Sequence, residues 1–262
     1  MTVQQALAAS GLDAREARLL LAEASGFSQV SLIASGERPL PGEIEKSFFE
    51  FASRRKKGEP VAYIVGHKEF YGLDLVVNPA VLIPRPETEL LVELALQSDF
   101  SNMADLGTGS GAIAIAIKRH RPNARVVGVE ASAAALVVAQ RNAVKNAVEI
   151  EFRHGRWFEP LHGERFDLIV GNPPYVAAGD PHLAALGFEP REALVAGSDG
   201  LAAIRDIVRQ APAFLVAGGR LLIEHGIGQD KAVCALLASA GLEDIATWPD
   251  LAGIPRVSGG KR

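Results

Sequence analysis

The chain has 262 residues, 48% of them hydrophobic and 22% charged, and a formal net charge of −4. That length buries one sizeable core plus a small accessory domain, and the acidic balance rules out a global basic field and weighs against a nucleic-acid partner. The single cysteine, Cys234, excludes an internal disulfide and reads as a small core hydrophobe, while no apolar run reaches the roughly 18 residues of a membrane span. With no basic-then-apolar leader at its start, the protein is expected to be soluble and cytoplasmic, with no membrane partner.

Up to about Glu59 the sequence reads as helices. Asp13 is placed to cap one that carries Ala17, Leu20, Leu21 and Ala24 at helical spacing and stops at Gly26. A second runs from Glu43 to Lys57 with Ile44, Phe48, Phe49 and Phe51 on one face. Its basic end, Arg54 to Lys57, complements the helix dipole and reads as a solvated helix end. From Pro60 the texture changes. Val61 to Val65 and Phe70 to Val77 are strand-like, with Gly66-His67 and Gly72 as punctuation, which predicts a short hairpin. Ile83 to Glu89 is a stiff, proline-rich turn that feeds a helix from about Thr88 to Leu96.

Beyond it strands and helices alternate. Strands are predicted over Met103–Gly107, Arg125–Glu130, Glu149–His154, Phe166–Asn172 and Gly219–Glu224. Helices are predicted over Ala112–His120, Ala133–Ala143, Leu201–Phe214 and Asp230–Ala240. Such alternation implies an α/β fold with a mainly parallel sheet covered on both faces. The domain reading is therefore a helical domain over 1–59, a β-hairpin linker over 60–87 and an α/β catalytic domain over 88–262.

Asp105-Leu106-Gly107-Thr108-Gly109-Ser110-Gly111 lies between a predicted strand and a predicted helix, at the strand end where nucleotide-like ligands dock in open α/β sheets. Glu130 ends the next strand, near the usual spacing for a carboxylate that grips ribose hydroxyls. Loop plus carboxylate indicates an adenosine-containing ligand, either a nicotinamide dinucleotide or S-adenosylmethionine.

Asn172-Pro173-Pro174-Tyr175 decides between them. It closes an apolar strand on the same sheet edge as the glycine loop. Two prolines stiffen the chain and donate no hydrogen bonds. The carbonyls of Asn172 and Pro173 and the Asn172 side-chain oxygen form a cluster of acceptors, and Tyr175 adds a flat face. Such a site suits a planar NH2 group, whose nitrogen is a poor nucleophile because its lone pair is delocalised. Acceptors on its hydrogens let charge build on nitrogen, and alignment with a methyl donor supplies the rest. A nicotinamide dehydrogenase leaves this tetrapeptide without a task. A DNA adenine-N6 methyltransferase uses an equally planar amine but sits poorly with the acidic balance. A non-catalytic adaptor leaves both loop and acceptors unexplained. The six histidines show no metal-ligand spacing, and no metal is expected.

Nearly end to end, the chain resembles the release factor glutamine methyltransferases, a family of class I S-adenosylmethionine-dependent enzymes. The matching stretches are the helical N-terminal domain, Pro84-Arg85-Pro86-Glu87-Thr88-Glu89, Asp105 to Gly111, Trp157-Phe158, Asn172 to Tyr175 and Glu189-Pro190 with Ala193-Leu194. Gly218 to Leu221 with Gln229, and Asp250 to Gly253 with Arg256, complete the pattern. The resemblance implies a Rossmann-like class I methyltransferase sheet with a small N-terminal helical domain joined by a β-hairpin. It also implies methyl transfer from S-adenosyl-L-methionine to the side-chain amide nitrogen of the glutamine in the Gly-Gly-Gln motif of peptide chain release factors. A similar ribosomal-protein glutamine methyltransferase is the nearest alternative, although its sequence after Pro-Arg differs.

By the same resemblance, the Asp105, Gly107, Thr108, Gly109, Ser110 and Gly111 loop cradles the methionine half of the cofactor. Glu130 holds the ribose, Trp157 packs near the adenine, Asn172, Pro173, Pro174 and Tyr175 hold the glutamine amide, and Asn172 also contacts the cofactor. The N-terminal domain binds the release factor. Three residues depart from the family pattern: Glu130 replaces a usual Asp, Arg156 an acidic residue, and His225 an apolar one.

Overall fold

The computed structural model describes all 262 residues, which form two compact units, Met1–His67 and Lys68–Arg262. The first is a bundle of α1 (Val3–Ser10), α2 (Ala14–Ser25), α3 (Gln29–Ala34), α4 (Gly42–Lys56) and α5 (Val61–Val65). Local chemistry sets the ends. Asp13 accepts from the Arg15 and Glu16 amides to start α2, and Gly26, in the left-handed region, stops it. Leu20, Leu21, Leu32, Phe48 and Ile64 fill the core. The basic end of α4 is half committed: Arg54 pairs with Glu59 and Arg55 with Glu16, whereas Lys56 and Lys57 are exposed.

Val61 to Val65 is a helix and not the expected strand. Pro60 enters it, Gly66 ends it with an N–H bonded to the Ala62 carbonyl, and the Arg54 guanidinium caps the Tyr63 and Ile64 carbonyls. A five-residue β-branched run is ambiguous by pattern, and burial of Ile64 among helices outweighs the strand propensity. The hairpin exists, but it lies later. It pairs β1 (His67–Phe70) with β2 (Leu73–Val76) through a turn in which Tyr71 (φ 50°) and Gly72 (φ 73°) are both left-handed. Such a two-residue turn matches the twist of the strands it joins, which is why Phe70 to Val77 does not run on as one strand. The division between the units falls inside β1, so the hairpin and the Ile83–Glu89 turn are part of the second unit's fabric rather than a separate linker.

That second unit is the α/β layer structure expected. Helices α6 (Glu89–Gln97), α7 (Ala112–His120), α8 (Ala133–Lys145), α9 (Ala202–Phe214) and α10 (Asp230–Ser239) flank a seven-stranded sheet. Its strands are β3 (Asn102–Leu106), β4 (Arg125–Glu130), β5 (Glu151–His154), β6 (Phe166–Gly171), β7 (Leu215–Glu224), β8 (Glu243–Pro249) and β9 (Pro255–Lys261), in the order β5-β4-β3-β6-β7-β9-β8. Pairings from β5 through β7 are parallel; β9 runs antiparallel to both β7 and β8. One core cluster joins Leu91 and Ile115 to the sheet, and another joins Ile204, Ile207 and Leu237 to it. Both faces are thus covered. None of the helices is long and apolar enough to cross a membrane.

Candidate active site

Strands β3 and β6 are neighbours in register, Leu106 beside Gly171, yet the chain visits β4 and β5 on one side before crossing to β6 on the other. This is the topological switch point, and the segments leaving both strands diverge to make a crevice there. Gly107 to Gly111 leaves one strand and Asn172 to Tyr175 the other.

The glycine loop is organised mainly by backbone. The Gly107 and Thr108 amides both donate to the Val129 carbonyl, at 2.9 and 3.0 Å. Gly107 sits at φ 74°, and a Cβ there would come within 3.1 Å of the Trp157 ring, so both the turn and the close approach need glycine. Glu130 ties the loop to the next strand: its Oε2 accepts from the Gly109 amide and its Oε1 from the Ser132 amide, each at 2.9 Å. Asp105 is fully buried, accepts from the Thr108 hydroxyl at 2.6 Å, and has a second oxygen without a partner. Burial pushes its carboxyl up to about 7 against the lowering effect of that hydrogen bond.

On the other side Asn172 Nδ2 donates to Thr88 Oγ1 at 3.1 Å. The Tyr175 hydroxyl donates at 3.4 Å to Glu224, the last residue of β7. Glu224 is 1% exposed, with one carboxylate oxygen unpartnered, and burial raises its pKa to about 7. Burial and this carboxylate together hold the Tyr175 phenol protonated far above its ordinary range. Gln229 completes the mounting: its Nε2 donates to the Tyr175 carbonyl at 3.0 Å, and its Oε1 accepts from the Gly226 amide at 2.8 Å. Gly200, at φ 75°, lies so close that a Cβ would meet the Tyr175 carbonyl oxygen at 2.3 Å.

A cavity of about 680 Å³ opens between these segments, a size within the roughly 300–1,000 Å³ of small-molecule sites. Of the residues singled out in the sequence, Gly107, Thr108, Gly109, Ser110, Glu130, Trp157, Asn172 and Pro174 line it. Asp105, Gly111, Pro173 and Tyr175 do not. Asp105 shapes the loop from within, and the Tyr175 ring packs against the core and beside Gly226. Trp157 is left-handed (φ 50°), an uncommon conformation for a bulky residue, and its Nε1 is buried without a partner. Arg156 also lines the cavity, with its guanidinium 5.6 Å from the Trp157 ring.

Sequence reasoning gave no role to Thr88, Arg85, Glu189 or Glu224. Arg85 pairs with Glu189, which is buried and also accepts from the Ile83 amide at 3.0 Å, fixing the Ile83–Glu89 turn against the cavity wall. The usable signal was Glu224, a carboxylate closing the apolar run Leu221 to Ile223 at the strand edge where the site forms. His225 is accounted for as well. It is fully buried, with Nδ1 3.1 Å from the Gly226 carbonyl and Nε2 2.9 Å from Ser258 Oγ, which is itself 2.7 Å from Thr247 Oγ1. It is a hydrogen-bonded core histidine.

Residues 86–187 match the methyltransferase small domain family, and residues 2–66 match the PrmC N-terminal domain. A release factor glutamine methyltransferase of Burkholderia pseudomallei is 48% identical over 99% of this chain and 96% of its own length. One from Neisseria gonorrhoeae is 46% identical over 100% of this chain and 98% of its own. Among solved structures, a methyltransferase from Pyrococcus furiosus matches with a TM-score of 0.56 at 17% identity, covering 80% of this chain and 96% of that one. A 16S rRNA methyltransferase of T. thermophilus in complex with AdoMet and guanosine matches at 0.55 and 24% identity, covering 75% of this chain and 49% of that one. These two likenesses bear on the fold alone, which is the class I methyltransferase sheet. The near full-length identity carries further: the chain belongs to the release factor glutamine methyltransferase family of S-adenosylmethionine-dependent methyltransferases.

Proposed function

We propose that this chain transfers the methyl group of S-adenosyl-L-methionine to the side-chain amide nitrogen of the glutamine in the Gly-Gly-Gln motif of a peptide chain release factor. The observation that carries the reading is the placement of Asn172 on the wall of the same cavity as Gly107–Ser110 and Glu130. Family membership supplies the substrate class.

The wall fits the cofactor. Each Glu130 oxygen accepts one amide and keeps a lone pair for a ribose hydroxyl. Gly107 to Gly109 present backbone without side-chain obstruction, and Trp157 offers a flat ring with a buried, unpartnered N–H. Bound there, the cofactor supplies a methyl group on a positively charged sulfonium leaving group.

The chain's own residues manage the acceptor. Asn172 Oδ1 and the Pro173 carbonyl accept hydrogen bonds from the two N–H groups of the glutamine amide, which favours attack by its nitrogen; one of its protons then leaves to solvent, and the neutral N-methyl amide remains. Pro174 stiffens the turn at the cavity wall, and Tyr175 anchors it through Glu224 and Gln229. Fixing the nitrogen supplies an entropic share of the rate. Residues 1–67 take the body of the release factor, and residues 68–262 hold cofactor and amide.

The test is transfer of labelled methyl from S-adenosylmethionine to an intact bacterial release factor, with mass mapping of the product and a duplex-DNA control. One methyl on the Gly-Gly-Gln glutamine supports the reading; label on DNA or on another residue overturns the substrate assignment.

A further inference from the structure

We propose that Gln229 is a positioning residue for methyl transfer. Its side-chain amide holds the Tyr175 carbonyl and, through the two prolines before it, sets where the acceptor oxygens of Asn172 and Pro173 stand. The proposal rests on the reading that these oxygens accept hydrogen bonds from the glutamine amide.

Acceptors for a reacting nitrogen contribute to rate only while their position is fixed in advance. Pro173 and Pro174 have no N–H with which to fix themselves. Gln229 supplies a hold from another segment of the chain. Its Nε2 donates to the Tyr175 carbonyl at 3.0 Å, with the Asp199 carbonyl at 3.5 Å, and its Oε1 accepts from the Gly226 amide at 2.8 Å. These partners dictate which end of the side chain is which. A main-chain carbonyl only accepts and a main-chain N–H only donates, so a 180° flip would set acceptor against acceptor and donor against donor. The hold on Tyr175 reaches the acceptors because the two proline rings lock φ at about −65°. A displacement of the Tyr175 carbonyl is therefore passed along to the Pro173 carbonyl rather than absorbed by rotation between them.

Three features of the fold support this use. Gln229 is itself anchored: its N–H donates to the Gly226 carbonyl at 3.2 Å, and its carbonyl accepts from the Val233 amide at 2.9 Å as α10 begins. It stands at the N-cap position of α10, yet its side chain makes no cap hydrogen bond and is spent on Tyr175 instead. The surroundings also leave no slack. A Cβ on Gly200, at φ 75°, would lie 2.3 Å from the Tyr175 carbonyl oxygen and 2.8 Å from Gln229 Nε2. One on Gly226 would lie 3.0 Å from Gln229 Oε1 and 3.2 Å from the Tyr175 ring. Both ends of the amide are thus enclosed by bare backbone. Finally, the bonds join the exits of β6 and β7, parallel neighbours paired at Gly171 and Ile223. The connection that leaves β7 therefore holds Tyr175 by its carbonyl, while Glu224 at the end of that strand takes its hydroxyl at 3.4 Å.

The experiment compares Gln229→Glu, Gln229→Met and Asn172→Ala on an intact release factor, reading kcat, KM for the release factor and the dissociation constant for S-adenosylhomocysteine. Glutamate keeps the size and the bond from Gly226, but as a carboxylate it sets a second acceptor against the Tyr175 carbonyl; protonated, it regains a donor. At about pH 8, Gln229→Glu is expected to lower kcat about ten-fold or more while changing both binding constants by less than about three-fold. The facing carbonyl favours the protonated form, so at about pH 6 the rate relative to wild type should recover at least about three-fold. Gln229→Met, which can neither donate nor accept strongly, should stay low at both. A Gln229→Glu enzyme within about two-fold of wild-type kcat at about pH 8 overturns the proposal. So does a deficit that pH leaves unchanged, or one matched by an equal loss of cofactor affinity, since the latter marks a collapsed cavity. If Asn172→Ala keeps its rate, the underlying reading of Asn172 fails; if it loses its rate and the Gln229 variants do not, only the positioning proposal fails.

Discussion

The two sides of the crevice are built from opposite materials. On the β3 side the ligand-facing surface is mostly backbone, turned by glycine and tied to Val129 and to the Glu130 carboxylate. On the β6 side it includes polar side chains, Asn172 bonded to Thr88, with Tyr175 behind them bonded to the buried Glu224 carboxylate. A backbone cradle suits a cofactor that must be gripped alike in every cycle. Side-chain acceptors suit a reacting group, because their orientation and protonation can be tuned to the charge that develops. The contrast teaches that binding and rate should separate when the two sides are perturbed.

The largest effect is expected from Asn172→Ala, which removes the acceptor proposed for the reacting nitrogen. By comparison with loss of one preorganised transition-state hydrogen bond, turnover should fall by roughly 10²–10³-fold. Glu130→Ala attacks the other side. Loss of the charge-assisted bonds proposed to the ribose diol should weaken cofactor binding by about 10–100-fold in a direct titration, with turnover at saturating cofactor largely kept. An unchanged dissociation constant would undo the ribose assignment.

Glu224→Gln sharpens the comparison through pH. The folded-state pKa of Glu224, about 7, lies above its ordinary 4.5, so the folded protein binds more protons between those values and loses stability as pH rises through that window. Glutamine cannot ionise. Relative to wild type, the variant should gain about 2 kcal/mol of unfolding free energy between pH 5 and pH 8, read by denaturant titration at both. Parallel curves would mean that Glu224 is not strained by burial. Gly107→Ala is the smallest: forcing a Cβ into a left-handed turn against Trp157 should cost about 1–2 kcal/mol in the same assay, and an unshifted midpoint would remove the claim that this turn needs glycine.

What was legible in the sequence were features that announce themselves locally. The Asp105–Gly111 loop, Glu130 and Asn172–Tyr175 stand at strand ends marked by glycine, charge or proline, and the intervening helices carry strong periodicity. What was not legible depends on distance along the chain. Thr88 meets Asn172 across 84 positions and Glu189 meets Ile83 across 106, so neither has a local signature. β8 and β9 escaped because Glu243–Pro249 and Pro255–Lys261 lack clean alternation, with prolines at the end of one and the start of the other and two glycines within β9. Val61–Val65 misled for the converse reason: a composition suited to strands sits where only helices are available to bury it. Tyr175 shows the same limit on a smaller scale. Its place after two prolines suggested a stacking face; in the structure its partly buried ring packs against the core and its hydroxyl reaches Glu224.

The most direct test of this division of labour is the single-turnover rate of methyl transfer to an intact release factor by Asn172→Ala, at a cofactor concentration shown by titration to be saturating. A cofactor dissociation constant like that of wild type, with a rate lower by at least about a hundred-fold, is the expected result. A wild-type rate, or a loss of rate that disappears when more cofactor is added, would contradict it and place Asn172 on the cofactor side of the crevice.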